Sequence, residues 1–446
     1  MVTRAERGLH ELIRFVGPSV ALRPVLTIGV SVLIARTLGP DGRGAYGVAA
    51  TALAVLPLIC SLGLESAIRY WSARGEVSPH SILRTVTALA LLVGVLVAGI
   101  GVICFTLRSP DWLVPESVGP LGATAICLAL GFTSLKSFWG NFLVGQERYG
   151  YTTWGNNIAS VIQLCVLVVW WQWAGMSLDA ALVALGVQIL VTLPLFFAFG
   201  ARDLWHALRA PFMSRGELRQ MLGFAVWEWL GELLTQTNLR LNIFMLAALG
   251  GLHETGLYTA VLGPASFLLL LATPLNLVLS ARAARRKEDL EFPQRVAGAM
   301  RLVLVISSVA AVIGAVLATP VLPLVFGERF VDAVPVFQLL LPGIVALSLN
   351  RLVAQYLAGV RRPEWNTRIA GLGAVLTVAL NALLIPPFGA GGAAVATSIA
   401  NVASLFLSFF AFLRVSRLPL RDLMAFRRSD WVPLVRVLGP SKKNPL

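Results

Sequence analysis

Glu228, Glu232, Gln236 and Arg240 recur at every fourth position of an apolar stretch, "VWEWLGELLTQTNLRLNIFML", that runs from Val226 to Leu246. On a helix this spacing gathers two carboxylates, an amide and a guanidinium into one slowly drifting stripe, with Thr235 beside it. A charge at the centre of a lipid-facing helix costs on the order of 3 kcal/mol on insertion scales, so the stripe is expected to face protein or water. Arg23, just ahead of Pro24, and Lys136 and Arg351 also stand inside hydrophobic runs, and Asn350 precedes Arg351. Together Arg23, Lys136, Arg240 and Arg351, with Asn350 and Gln236, suit an anion, because a diphosphate offers the oxygen pair that guanidinium grips bidentately. The carboxylates suit a proton or a cation. Glu228, flanked by Trp227 and Trp229, is the first candidate for coupling to H+ or Na+ by a raised carboxyl pKa, and Glu232 the second. The competing reading pairs Glu228 and Glu232 with Arg240 or Arg23 in a structural ion network, and lets Lys136 snorkel to an interface.

What must position these groups is a membrane-spanning bundle. Hydrophobic residues make up 57% of the 446-residue chain and charged ones 13%, with a mean hydropathy of +0.78, against about 25% charged in soluble domains. Runs long enough to cross a ~30 Å hydrocarbon core as helix recur along the whole sequence. Twelve are read, at about 12–35, 45–71, 81–107, 118–143, 151–173, 178–200, 221–248, 256–281, 298–326, 333–359, 367–386 and 391–414. Unbroken runs such as "TALALLVGVLVAGIGVICF" exclude the short alternating segments of a barrel. The fold expected is all-α, polytopic, with twelve transmembrane helices. The first run lacks a signal-cleavage motif and is expected to stay as helix one. Cys60, Cys104, Cys127 and Cys165 fall in separate runs with no paired spacing, which argues against a disulfide or metal site, and no cofactor is expected.

Lys and Arg number 36 against 22 Asp and Glu, a net charge of +14. They concentrate in alternate loops and both tails, most clearly in "ARAARRKEDLEFPQR" and "RRSDWVPLVRVLGPSKK", whereas only Arg36, Arg43, Arg108 and Arg329 fall on the opposite side. Basic residues are retained on the cytoplasmic side of short loops, so both termini are expected in the cytoplasm and the protein in the cytoplasmic (inner) membrane. Anionic lipid headgroups account for the positive excess, and no nucleic-acid partner is needed. Glu65 and Arg69, four residues apart, are expected to form an interfacial salt bridge, and Asp203 to be a solvated charge.

The chain echoes itself. Gly39-x4-Gly44-x-Tyr46 reappears as Gly251-x4-Gly256-x-Tyr258, Leu143-x-Gly145-x2-Arg148 as Leu357-x-Gly359-x2-Arg362, and Ala180-Ala181 with Gln188 as Ala393-Ala394 with Asn401, at shifts of 212, 214 and 213 residues. Under the second shift Asn350 corresponds to Lys136. Such order implies two pseudo-repeated six-helix lobes around a central cavity, a common plan in transporters: residues 1–200 and 221–414, joined by an amphipathic cytoplasmic connector at 201–220 and followed by a basic tail at 415–446.

The stretch "ARTLGPDGRGAYGVAATALAVLPLICSLGLESAIRYWSA", with "GQERYG", "PLVFGERFVDAVPVFQLLLPG" and "NALLIPPFGAGGAAVATSIAN", resembles the polysaccharide transporters of the multidrug/oligosaccharidyl-lipid/polysaccharide exporter superfamily over essentially the full chain. One departure is Asn242, where many relatives would carry Asp. The resemblance implies twelve helices in two lobes and the flipping of undecaprenyl-diphosphate-linked oligosaccharides for O-antigen, capsule or exopolysaccharide, with polysaccharide assembly machinery as a partner. Two-lobed architecture further suggests alternating access. Asn156, Asn157, Gln163, Gln188, Asn381 and Asn401 are candidates for sugar contacts, against interhelical hydrogen bonding. The nearest rival is a multidrug cation exporter of the same superfamily, whose cavity should be net acidic rather than basic. A peptidoglycan-precursor flippase would carry further helices. A membrane glycosyltransferase or polymerase would need a sizeable aqueous domain or a nucleophile or metal motif, none of which is seen, so the protein is read as a transporter rather than an enzyme.

Overall fold

The computed structural model describes residues 17–74, 77–106, 118–285, 292–360, 362, 364–419 and 421, and every regular element among them is helical. In chain order the helices are α1 (Gly17–Ser61), α2 (Leu64–Arg74), α3 (Pro79–Thr106), α4 (Pro120–Gly145), α5 (Tyr149–Ala174), α6 (Leu178–Phe199), α7 (Ala201–Arg209), α8 (Arg215–Arg285), α9 (Phe292–Phe326), α10 (Ala333–Gly359) and α11 (Glu364–Ser416), with a 3-10 turn at Glu328–Phe330. Among the described residues eight helices are long and apolar enough to cross a membrane. The chain is a multi-pass, all-α membrane protein.

α1, α8 and α11 each contain two of the apolar runs read from the sequence, divided by a glycine at positive φ: Gly39 (φ 70°), Gly251 (φ 85°) and Gly389 (φ 53°). That region of conformational space is cheap only for glycine. The internal repeat is therefore a repeat of backbone geometry. Gly39 and Gly251 share the same extended ψ, −171° and 176°. The loop echo holds as well: Arg148 N–H donates to the Leu143 carbonyl (2.9 Å) and Arg362 N–H to the Leu357 carbonyl (2.8 Å), while Gln146 and Val360 cap their helices at identical φ and ψ of −85° and 13°.

By contact the chain forms two compact units, residues up to Gly263 with Val325–Phe330, and residues 264–324 with those from Val331 onward. The first therefore includes the 201–220 connector and the leading part of α8. What draws α8 in is a reciprocal crossing of its 252–263 segment with the 40–61 half of α1. A Cβ on Gly44 would lie 2.0 Å from the Leu252 carbonyl oxygen, and one on Gly256 would lie 1.8 Å from the Pro40 oxygen. Only glycine permits this approach, and such small-residue contacts are what hold helices together where lipid removes the hydrophobic drive between them. Arg43 is buried at the crossing, donating to Ser31 Oγ (3.1 Å) and the Thr259 carbonyl (3.0 Å) and lying over the Tyr46 ring at 5.6 Å. Tyr46 Oη in turn accepts from Gln163 Nε2 (3.0 Å), and Tyr258 Oη from Asn242 Nδ2 (2.5 Å). Arg36 Nε reaches the Val325 carbonyl (2.8 Å), which attaches the 325–330 segment to this unit.

Ser214 and Glu217 start α8 with a reciprocal capping box. The Ser214 N–H donates to Glu217 Oε2 (2.7 Å) and the Glu217 N–H to Ser214 Oγ (3.2 Å). These bonds hold the Glu217 carboxyl below its usual pKa. Asp203, expected to be solvated, instead pairs with Arg148 (2.5 Å), because α7 folds back beside the loop after α4. In the second unit, Ser398 Oγ accepts from the Gly343 N–H (3.2 Å) and donates to the Leu339 carbonyl (2.6 Å), which joins α10 to α11 at another small-residue contact.

Candidate functional site

The first unit carries an open cavity of about 330 Å³ whose wall includes Arg23, Glu65, Lys136, Glu232 and Arg240. Five helices supply it. Arg23 comes from the 17–38 half of α1, which Gly39 turns back so that Ala50, Leu53, Ala54, Pro57 and Leu58 of the other half form an apolar side. α2 supplies Glu65, α4 supplies Thr133, Lys136 and Ser137, α6 supplies Leu185, Gln188 and Ile189, and α8 supplies Glu232, Gln236 and Arg240.

The α8 stripe is a hydrogen-bonded ladder. Arg240 Nε donates to Gln236 Oε1 (2.8 Å), and Gln236 Nε2 donates to Glu232 Oε1 (2.7 Å). Helical i, i+4 geometry brings the three side chains into register, and the amide passes polarisation between a guanidinium and a carboxylate that do not touch. The ladder uses only Nε of Arg240. Among the described residues its Nη groups, the Lys136 ammonium and the Arg23 guanidinium make no hydrogen bond or ion pair with protein. Lys136 and Arg23 lie close enough to repel each other. Three cations on one cavity wall, two of them close enough to repel, form an arrangement that an anion would relieve.

Of the residues singled out from the sequence, Arg23, Lys136, Arg240, Gln236 and Glu232 meet at this one cavity. Arg351 and Asn350 belong to the second unit. Arg351 is exposed there, and Asn350 Nδ2 donates to the Asn401 carbonyl (3.1 Å) between α10 and α11. The side chains of Glu228 and Trp227 lie outside the described residues. Trp229 donates from Nε1 to the Leu58 carbonyl (2.9 Å), a packing role. Of the amides offered as sugar contacts, only Gln188 lines the cavity, and it also donates to Ser160 Oγ (2.9 Å). Gln163 holds Tyr46, while Asn156 and Asn381 bond carbonyls four residues back on their own helices.

Glu65 corrects the sequence reading. No salt bridge joins it to Arg69, whose charge acts on it from a greater distance; it lines the cavity beside Ser137 of α4. The i, i+4 spacing to Arg69 concealed this, because pairing on one helix surface is legible in sequence whereas the approach of α4 is not.

Comparison with solved structures places the fold. The lipid II flippase MurJ in its inward closed conformation superposes with a TM-score of 0.75 at 12% identity, covering 95% of each chain. An inward-facing multidrug-resistance transporter of the multidrug and toxin extrusion (MATE) family follows at 0.69 and 15% identity, covering 89% of this chain and 94% of that one. Residues 19–280 match the family described as "Polysaccharide biosynthesis protein", and the chain belongs to that family. An uncharacterised membrane protein of Methanocaldococcus jannaschii is 34% identical over 94 residues, which is 21% of this chain and 18% of that protein's length.

Proposed function

We propose that the protein is a flippase that carries undecaprenyl-diphosphate-linked oligosaccharide repeat units across the cytoplasmic membrane by alternating access, for O-antigen, capsule or exopolysaccharide assembly. The observation that carries this reading is the convergence of Arg23, Lys136 and Arg240 on one cavity with donors left unengaged by protein. A disubstituted diphosphate has oxygens for all three, and Arg240 presents the fork that binds such a group bidentately. Gln188, Gln236, Thr133 and Ser137 on the same wall supply neutral donors and acceptors for the first sugar. The prenyl chain stays in lipid. Membership of the polysaccharide biosynthesis family and a fold shared with a lipid II flippase support the same cargo class. A net positive wall disfavours the cation-exporter alternative.

In this reading lobes 1–200 and 221–414 alternate the cavity between the two sides, both termini lie in the cytoplasm, and anionic lipids bind the basic loops. The test is translocation of a labelled lipid-linked oligosaccharide in proteoliposomes. Arg240→Ala and Lys136→Ala are expected to reduce the rate at least about tenfold, the scale of one lost charge-assisted bond. Wild-type rates in both would remove the cavity from transport.

A further inference from the structure

α7 divides its nine residues among three faces. Leu204 and Ala207 turn inward and pack into the core of the first unit, and Asp203 beside them pairs with Arg148 (2.5 Å). Arg202, His206 and Arg209, spaced four and three residues apart, form an exposed basic face. The third face is neither buried nor polar: Trp205 is 56% exposed and Leu208 62%, and Phe212, just past the helix, continues it at 54%. A helix on a water-facing surface needs only an inward apolar stripe. This one carries a second, outward stripe flanked by arginines, the pattern of a helix lying in a membrane interface.

The neighbouring helix fixes the depth at which it lies. No charged side chain follows Arg84 in α3 from Thr85 to Thr106, so Arg84 marks where α3 enters hydrocarbon. The segment after α7 is tied to that point. Arg84 Nη1 donates to the Ala210 carbonyl and its guanidinium lies over the Phe212 ring at 4.2 Å, while the Met213 N–H donates to Thr85 Oγ1 (3.0 Å). Phe212 thus stands at the lipid boundary, with Leu208 one helical turn before it. On the basic face Arg209 lies over the Trp205 ring at 4.3 Å, and among the described residues neither Arg202 nor Arg209 forms a hydrogen bond or ion pair with protein. A guanidinium stacked on an aromatic ring keeps the N–H donors at its edge for a phosphate.

We propose that α7 is a binding site for anionic phospholipid, with Trp205, Leu208 and Phe212 among the upper acyl carbons and Arg202 and Arg209 on headgroup phosphate. A general attraction of basic loops for anionic lipid requires no particular helix; this site is two adjoining faces of one helix held in the core of the first unit, and it stands whatever cargo the cavity carries. A free phosphate cannot use the apolar stripe, and a zwitterionic headgroup offsets its own phosphate charge, so the arrangement selects an anionic lipid.

Native mass spectrometry of the full-length protein in detergent, titrated with phosphatidylglycerol or phosphatidylcholine, reads headgroup choice. Wild type is expected to bind phosphatidylglycerol about thirtyfold more tightly, the effect of two basic residues near a membrane surface. The paired substitution Arg202→Gln and Arg209→Gln should bring the two lipids level without lowering the unfolding temperature, since both side chains are exposed. Equal loss on substituting Arg368→Gln and Arg414→Gln, two aromatic-paired arginines of the second unit, would reduce the effect to net charge and overturn the site. Glycerol 3-phosphate should fail to displace the lipid; displacement at equal affinity would make this a free-phosphate site and overturn the proposal. In nanodiscs the emission of Trp205, taken as the difference between wild type and Trp205→Phe, should be quenched by brominated acyl chains. Quenching by aqueous iodide instead would put the stripe in water, as a surface for a soluble protein or a second copy, and overturn the lipid assignment.

Discussion

Arg43 and Arg240 lie in the same compact unit, and the protein treats them differently. Around Arg43 every element of recognition is internal: a hydroxyl, a carbonyl and an aromatic face receive the guanidinium where α1 crosses α8. Around Arg240 only Nε is engaged, by Gln236, and the rest of the group faces a cavity shared with Lys136 and Arg23. Burial alone therefore does not identify a functional charge. A cation whose engaged groups bind protein across a helix crossing holds the fold; one that faces a cavity is available to a ligand.

Substitutions at the crossing and at the cavity test this contrast. The largest effect is expected at the crossing itself. Gly256→Leu must push its side chain through the Pro40 carbonyl, a backbone atom that cannot step aside, and should cost about 3 kcal/mol or more, read as a lowered unfolding temperature and poor monodispersity in detergent. Arg43→Met is expected to cost about 2 kcal/mol through its lost charge-assisted bonds while leaving affinity for dimethyl diphosphate at the wild-type value. Arg240→Ala should do the reverse, weakening that affinity by about tenfold or more with little change in unfolding temperature. Were both arginines to shift stability alike, the distinction between crossing and cavity cations would fail. The smallest effect belongs to Glu217. Its carboxyl is held below its usual range, so its stabilisation of the α8 start is present above the ordinary carboxylate pKa of about 4.3 and is lost as pH falls through the lower folded value. Amide exchange over the first turn of α8 should therefore speed up on acidification in wild type and change less in Glu217→Gln.

Much of the architecture was legible because lipid imposes long apolar runs. The glycine echo was legible because Gly39 and Gly251 require a conformation other residues avoid. A further pair escaped notice. Gly175 (φ 74°) and Gly389 (φ 53°) also turn the chain at matching places, 214 residues apart, but their flanking residues differ and only the backbone reveals them. The cavity was legible through helical periodicity on α8 and through isolated charges in apolar runs. Glu65 was not, since the cavity it lines is completed by α4 and α8, and neither was the placing of Asn350 and Arg351 in the second unit, because a shared offset identifies equivalent positions and says nothing of which unit holds them. Asn242 looked like a lost carboxylate. Instead it is a buried amide bonded to Tyr258, with no part in the cavity wall.

The α1–α8 crossing has the form of an isologous interface, in which Gly44 meets Leu252 while Gly256 meets Pro40, each the other's counterpart at the 212-residue offset. Symmetric homodimers build contacts of this kind. A single polypeptide thus retains a seam proper to two identical subunits, and evolution along it is constrained in tandem: enlarging either glycine burdens both duplicated segments at once.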